Sequence, residues 1–431
     1  MTEIRSPIFS RRTLMTAAGA VGVVSGARAA QEGLSPPASP SEDVARDEAF
    51  WSRVAAQYDV SAAYTNLENG YWGVMARPVR AAYEAHQRRV NRENTRYVRG
   101  QFWDDMKGVY ARLAAFLGVG AEELLLVRSA TEALQILIGS YNGLKPGDEV
   151  LYADLDYSAM KSSMDWLAER RGVSVRKITL PEPASREGVL AAYRSAFEQY
   201  PKVKLVLLTQ VNNLTGLIHP VEEIAAMAKG AGAEVVLDSA HAVGQIEFQL
   251  SELGADFIGM NLHKWIGAPL GCGLIYIRKD RVPSIDRYMG EPGREDDIRA
   301  RAHLGGFDFA AHLTVPDALD FHEAVGGAAS KQPRLKYLRD LWAQPAREMP
   351  HIDVLTPDDP DLVAAMTSFR LKGRTSTEEN DAIVKRLLRD HGVFTVRRTG
   401  PAAGDCVRVT PAIYNQPEDA AKLVGALKAI A

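Results

Sequence analysis

Five short, largely apolar segments alternate with amphipathic ones between Leu124 and Met260, and no other feature of the chain restricts its fold as much. The apolar segments are Leu124–Val127, Glu149–Tyr152, Val203–Thr209, Glu234–Leu237 and Phe257–Met260. Helical periodicity predicts helices near Thr131–Leu144, Ala159–Arg171, Val189–Tyr200 and Val221–Gly230 between them. A segment such as Val203-Lys204-Leu205-Val206-Leu207-Leu208 is apolar on both faces, so as a strand it needs cover on both sides. Helical crossovers between such strands make neighbours parallel, which predicts an α/β fold with a mainly parallel sheet. Ligands on sheets of this kind bind at the carboxyl ends of the strands.

Beyond Lys264 the pattern changes. Gly271–Ile277 reads as a further strand, and a long helix is predicted from Pro316. Met366–Leu371, a helix Thr377–His391, Val393–Arg397, Val407–Thr410 and a last helix from Pro417 then predict a smaller C-terminal α+β domain. A chain of 431 residues is long enough for one large core and a second, smaller one. These shifts assign an N-terminal segment and large domain to residues 43–315, and a small domain to residues 316–431. Residues 31–42, which include Leu34-Ser35-Pro36-Pro37-Ala38-Ser39-Pro40-Ser41, have too little apolar content to pack and read as a linker.

The first 30 residues carry a different signal. Ser10-Arg11-Arg12-Thr13-Leu14-Met15 precedes an apolar run, Ala17–Val24, and then Ala27-Arg28-Ala29, a small-x-small cleavage pattern. Residues 1–30 thus look like a twin-arginine signal, which sends a folded passenger through the Tat translocon to the periplasm. The apolar run is too short to span a bilayer, where ~20 residues are needed. A protein exported after folding can carry a cofactor with it. The mature chain has no field of one sign, with 51 basic against 54 acidic residues in the whole sequence, which favours a small-molecule partner over nucleic acid. Cys272 and Cys406 are too few for a disulfide framework, and buried thiols are expected rather than a bridge.

Asp238 closes the segment Glu234–Leu237, and Lys264 follows the segment Phe257–Met260. A carboxylate and an amine at two strand ends are what pyridoxal 5′-phosphate (PLP) requires. The lysine bonds the coenzyme's aldehyde, and the carboxylate holds its pyridine nitrogen protonated. A lysine with an ordinary pKa near ~10.4 is a poor nucleophile until it is desolvated or set beside positive charge. Trp265-Ile266 and His263 offer Lys264 that setting. Asp238 would equally suit a helix N-cap ahead of Ser239-Ala240-His241. His241, about one helical turn on, is expected on the same side, within reach of the ring oxygen or a substrate group. Arg128-Ser129-Ala130-Thr131 passes from strand to helix, a place suited to a phosphate, although a plain helix cap has the same pattern. Val211-Asn212-Asn213-Leu214-Thr215-Gly216 closes a buried strand in a polar turn.

Taken in order, these segments resemble the class V aminotransferase family of fold-type I PLP enzymes, from about Asn66 to the C-terminus. The strings Val211–Leu217, Asp238–His241, Asn261-Leu262-His263-Lys264-Trp265 and Val407-Arg408-Val409-Thr410-Pro411-Ala412-Ile413-Tyr414-Asn415 are most similar to the isopenicillin N epimerase-like branch. The resemblance implies that Lys264 bonds PLP, that Asp238 pairs with its ring nitrogen and that Ser129, Ala130 and Thr131 form the phosphate turn. It places Tyr157 on the ring face, Asn213 and His241 on the ring oxygen and substrate side, and Asn261 with His263 beside the phosphate. It assigns the substrate α-carboxylate to Arg408, whose rigid fork suits bidentate contact. It also implies a homodimer, in which family members often place a threonine of the neighbouring subunit on the phosphate. Here Gly305-Gly306-Phe307-Asp308 offers glycine at that point. Cysteine desulfurases of the family carry a nucleophilic cysteine ahead of the carboxylate arginine, and around Val393 this chain has none.

The resulting expectation is an exported PLP enzyme that acts at the Cα of an amino acid, or of an amino-acid moiety of a secreted metabolite. Transamination and epimerisation both remain open, with Lys264 as the base on Cα–H. The likeness extends to twin-arginine-exported PLP enzymes that tailor pyoverdine siderophores. A carbon–sulfur β-lyase is the alternative, followed by an inactive PLP-fold protein that binds an amino-acid-like ligand. Retention of Lys264, Asp238 and Arg408 together speaks against the last.

Overall fold

The computed structural model describes residues 34–38 and 41–430. The first strand, β1 (Thr65–Asn66), stands apart from the main sheet. That sheet has seven strands: β2 (Leu124–Val127), β3 (Glu149–Ala153), β4 (Ser174–Ile178), β5 (Val203–Thr209), β6 (Glu234–Ser239), β7 (Phe257–Asn261) and β8 (Gly273–Ile277). Their spatial order is β2-β8-β7-β6-β5-β3-β4, and β8 alone runs against its neighbours β7 and β2. The expected mainly parallel α/β sheet is therefore present. Along β5 successive side chains enter opposite cores, with Leu205 and Leu207 in one and Val206 and Leu208 in the other. That is why the segment is apolar throughout.

β4 was not anticipated from the sequence. It is a half-exposed edge strand, Ser174-Val175-Arg176-Lys177-Ile178, and its charges protect an open sheet edge instead of marking an apolar run. The long helices Arg77–Gly100 and Phe102–Leu117 were also unforeseen, because the first buries only Val79 and Tyr97 and is polar elsewhere.

Beyond β8 the single helix expected from Pro316 is two, Val315–Ala324 and Gly327–Arg347. The chain turns between them through Gly326 and Gly327, both at positive φ (91° and 61°), a conformation that favours glycine. A smaller antiparallel sheet follows, built from β9 (Ile352–Val354), β10 (Thr367–Leu371), β12 (Val396–Arg398) and β13 (Cys406–Val409) in the order β12-β13-β10-β9. The strand expected at Val393–Arg397 is divided, since β11 (Val393–Phe394) leaves that sheet and pairs in parallel with β1. The N-terminal segment thus joins the smaller domain's strands and not only the large domain.

Residues 31–42 are corrected in one respect: Leu34 is 3% exposed and belongs to the main core, and a helix, Ser41–Ala45, begins inside the expected linker. The expected export signal at residues 1–30 lies outside the described residues.

Candidate active site

A cavity of about 370 Å³ opens at the carboxyl ends of β5, β6 and β7, where Thr209, Asp238 and Asn261 stand at or near the last positions. Each residue singled out from the sequence lines it: Ser129, Ala130, Thr131, Tyr157, Asn213, Asp238, His241, Asn261, His263, Lys264 and Arg408. Gly305–Asp308 does not; Asp308 instead caps the helix Phe309–Leu313 and accepts from the Tyr83 hydroxyl.

β6 brings Asp238 to the cavity floor almost wholly buried, and the register sets it beside Thr209 and Gly259 of the flanking strands. No helix follows β6, only a run of turns, so the N-cap reading gives way to a local one in which Asp238 Oδ1 accepts the Ala240 N–H at 2.9 Å. Burial pushes the Asp238 carboxyl upward, opposed by that N–H and by Lys264. A positive charge in the cavity would reverse the shift.

After β7 the chain delivers Lys264, whose Nζ lies 2.9 Å from Nε2 of His241. Burial pulls the amine down to about 7; Arg408 and Arg398 pull the same way, while Asp238 and Glu68 oppose them. The desolvated lysine that PLP chemistry needs is therefore present. His263 turns its Nδ1 to the carbonyl of Cys272 at 2.9 Å and is held neutral by burial, at about 4.

The turn at Ser129 opens the helix Ala130–Gly139. Its Glu132 N–H is taken by Ser129 Oγ and its Ala130 N–H by Asn261 Oδ1 at 2.7 Å. Asn261 thus holds the turn from behind, and the Thr131 N–H and hydroxyl are what the turn offers to an anion. Gly273 of β8 packs so closely that a Cβ there would lie 2.3 Å from the carbonyl carbon of Ser129.

Arg408 lines the cavity but its fork is engaged: one nitrogen donates to the Asn213 carbonyl at 2.7 Å and another to Glu68. Glu68 occupies the position on Arg408 that the resemblance gives to a substrate carboxylate. Of the arginines that line the cavity, Arg398 is the one whose guanidinium makes no hydrogen bond to the described residues, and it stands 3.6 Å from Glu68 as an ion pair. Arg398 and Glu68 were missed in the sequence. Strand alternation carried a signal for Arg398, since β12 pairs Val396 with Arg408 and Arg398 with Cys406, which puts both arginines on one face.

A model of the family described as aminotransferase class V matches residues 74–423. The chain belongs to the class V aminotransferase family. A class V relative, isopenicillin N epimerase of Amycolatopsis lactamdurans, is 28% identical over 399 residues, 88% of this chain and 98% of the other. A putative L-cysteine desulfhydrase of Oryza sativa subsp. japonica is 27% identical over 362 residues, 73% of this chain and 72% of the other. Among solved structures, a mutant of C-DES with glycine covalently linked to its PLP cofactor superposes with a TM-score of 0.74 at 20% identity, covering 86% of this chain and 98% of that one. The class V fold, the isopenicillin N epimerase-like branch and PLP as the cofactor are thereby borne out.

The residues present fit that coenzyme. A buried carboxyl, a desolvated amine and a helix start converge on one cavity, and the buried Asn213 Oδ1 within it has no partner among the described residues. In a class V site, Asp238 would hold the ring nitrogen, Lys264 the aldehyde carbon, and Thr131 with Ser129 the phosphate.

Proposed function

We propose that this class V enzyme acts at the Cα of an amino acid, or of the amino-acid moiety of a secreted metabolite, by transamination or epimerisation. The observation that carries the reading is that one cavity gathers Asp238, the Arg398 guanidinium and the Lys264 amine, whose Nζ is 2.9 Å from His241 Nε2 and which desolvation pulls down to about 7. PLP, when bound, supplies the carbonyl that bonds an amine and the ring that accepts the electron pair left at Cα.

The chain's own residues do the rest. Arg398 holds the substrate carboxylate, and Arg408 behind it adds charge while Glu68 fixes its orientation. Asp238, once it faces a protonated ring nitrogen, is ionised and keeps that proton in place. Lys264 Nζ, a free base near neutral pH, takes the proton from Cα. Delivery of a solvent-exchangeable proton to Cα from the opposite face would epimerise the centre; protonation away from Cα followed by hydrolysis would transfer the amino group. The likeness to isopenicillin N epimerase supports the first, and the family model does not separate the two. The pattern Ser10-Arg11-Arg12 with Ala27-Arg28-Ala29 supports export by the twin-arginine route and a periplasmic site of action on a small, amino-acid-like molecule. The family's habit of building its site from two subunits supports a homodimer.

A carbon–sulfur β-lyase is the second reading, favoured by the desulfhydrase relative. Sulfur transfer to the protein itself is not. Cys272 and Cys406 are free thiols, both fully buried, and burial pushes both upward, Cys406 to about 11.

The test is to load the full chain with PLP, reduce it with borohydride and map the adduct, which is expected on Lys264. A panel of amino acids in deuterated water then assigns the reaction. Deuterium at Cα without loss of mass marks epimerisation, a pyridoxamine end point amino transfer, and pyruvate with sulfide the lyase. An adduct elsewhere, or full turnover in Lys264→Ala, would overturn the proposal.

A further inference from the structure

We infer that Trp265 is a positioning residue that holds the His241 imidazole with its proton on Nε2, so that Lys264 faces a donor and is left as the site's base. The inference rests on the functional reading above and adds to it which of two adjacent nitrogens accepts the substrate proton. Trp265 Nε1 lies 3.3 Å from His241 Nδ1. An indole N–H can only donate, and a neutral imidazole has a single lone-pair nitrogen. The lone pair is therefore on Nδ1, and the proton is on Nε2, the nitrogen 2.9 Å from Lys264 Nζ. An ammonium has no lone pair with which to receive that N–H, so the geometry also requires Lys264 to be a free amine.

The surroundings keep His241 from becoming a cation. Burial is the largest cause, and the arginine charges that act on it, those of Arg408 and Arg398, also oppose its protonation. Asp238 of the cavity floor and Glu68 behind Arg408 act instead on Lys264. His241 thus works as a fixed donor toward the cavity, not as a proton acceptor.

Trp265 is itself held. Its carbonyl accepts from Nζ of Lys331, a lysine 4% exposed with no carboxylate partner among the described residues, whose Nζ also stands 3.1 Å from His322 Nδ1. From the other side Gly244 approaches so closely that a Cβ there would lie 2.9 Å from the carbonyl carbon of Trp265 and the nitrogen of Ile266. The Gln245 side chain fixes the His241 carbonyl. Lys331, which the catalytic scheme does not use, therefore acts on the site through Trp265.

The test labels histidine side chains with nitrogen-15 in the full-length protein, both PLP-loaded and stripped. The nitrogen shifts are read, with the His241 signal assigned by its loss in His241→Gln. The wild type is expected to show Nε2–H at His241 in both forms. Trp265→Phe is expected to move it toward a mixture with Nδ1–H, and to shift the pH midpoint of the coenzyme's absorption band by at least about half a unit. Lys331→Met is expected to do the same to a smaller extent. A wild-type Nδ1–H tautomer overturns the inference, even if the Trp265 variant fails to fold. So does a folded Trp265→Phe protein with tautomer and midpoint unchanged. Failure of borohydride to label Lys264 would instead sink the functional reading, and the stripped protein would still report the tautomer.

Discussion

At Lys264 a proton decides what the site can do. Below about 7 the amine is an ammonium without a lone pair, and above it the free base predominates. PLP uptake by the stripped protein, followed by absorbance, is expected to rise about fivefold between about pH 6 and 7 and to flatten above about pH 8. A flat profile across that range would contradict the geometry around His241. The same displacement has a sign for stability. The folded value lies below the ordinary 10.5, so folding expels the proton, and between about 7 and 10.5 this group's contribution to stability rises with pH. Lys264 and Asp238 were legible in the sequence because each follows an apolar segment at a predicted strand end, where side-chain chemistry is exposed to a ligand. Arg398 was less so, because its strand has three half-buried residues and two adjacent arginines. Glu68 stayed hidden because its partner, Arg408, is 340 residues away along the chain.

At the level of elements, the phosphate turn depends on a strand that contributes no side chain to it. Gly273 opens β8 directly against the Ser129 backbone, with Cβ-equivalent distances of 2.3 to 2.6 Å to three main-chain atoms. Gly273→Ala must therefore move either the strand or the turn. An overpacking cost of about 1–3 kcal/mol is expected in the thermal midpoint of the stripped protein, together with weaker PLP binding in a titration. An unchanged affinity would mean that the turn is not where the phosphate sits. The strands β2, β3, β5, β6 and β7 were readable because burial on both faces forces an apolar sequence. β4 and the helix Arg77–Gly100 were not, since an edge strand and a mostly polar helix lack that imprint. The division of the helix after Pro316 rests on two adjacent glycines with positive φ, a local signal that the periodicity of the flanking segments masks.

Across the whole molecule, the N-terminal segment ties the two sheets together. Trp51 and Phe50 are fully buried, and Arg334 of the helix Gly327–Arg347 reaches Glu48 and the carbonyl of Ala45. Glu48→Ala leaves that buried guanidinium without its acid. Because Glu48 is itself half-exposed, a loss of about 1–3 kcal/mol in denaturant unfolding is expected, smaller than for a fully buried pair. Further along, β1 pairs with β11, the Asn69 backbone N–H and side-chain amide both donate to the Thr410 carbonyl, and Glu68 sits on Arg408. These contacts impose an order of events on biosynthesis. Residues 65–69 leave the ribosome hundreds of residues ahead of the strands that receive them, so a nascent chain short of β13 has no complete pocket. Coenzyme capture is then expected only after β13 has emerged and received those residues.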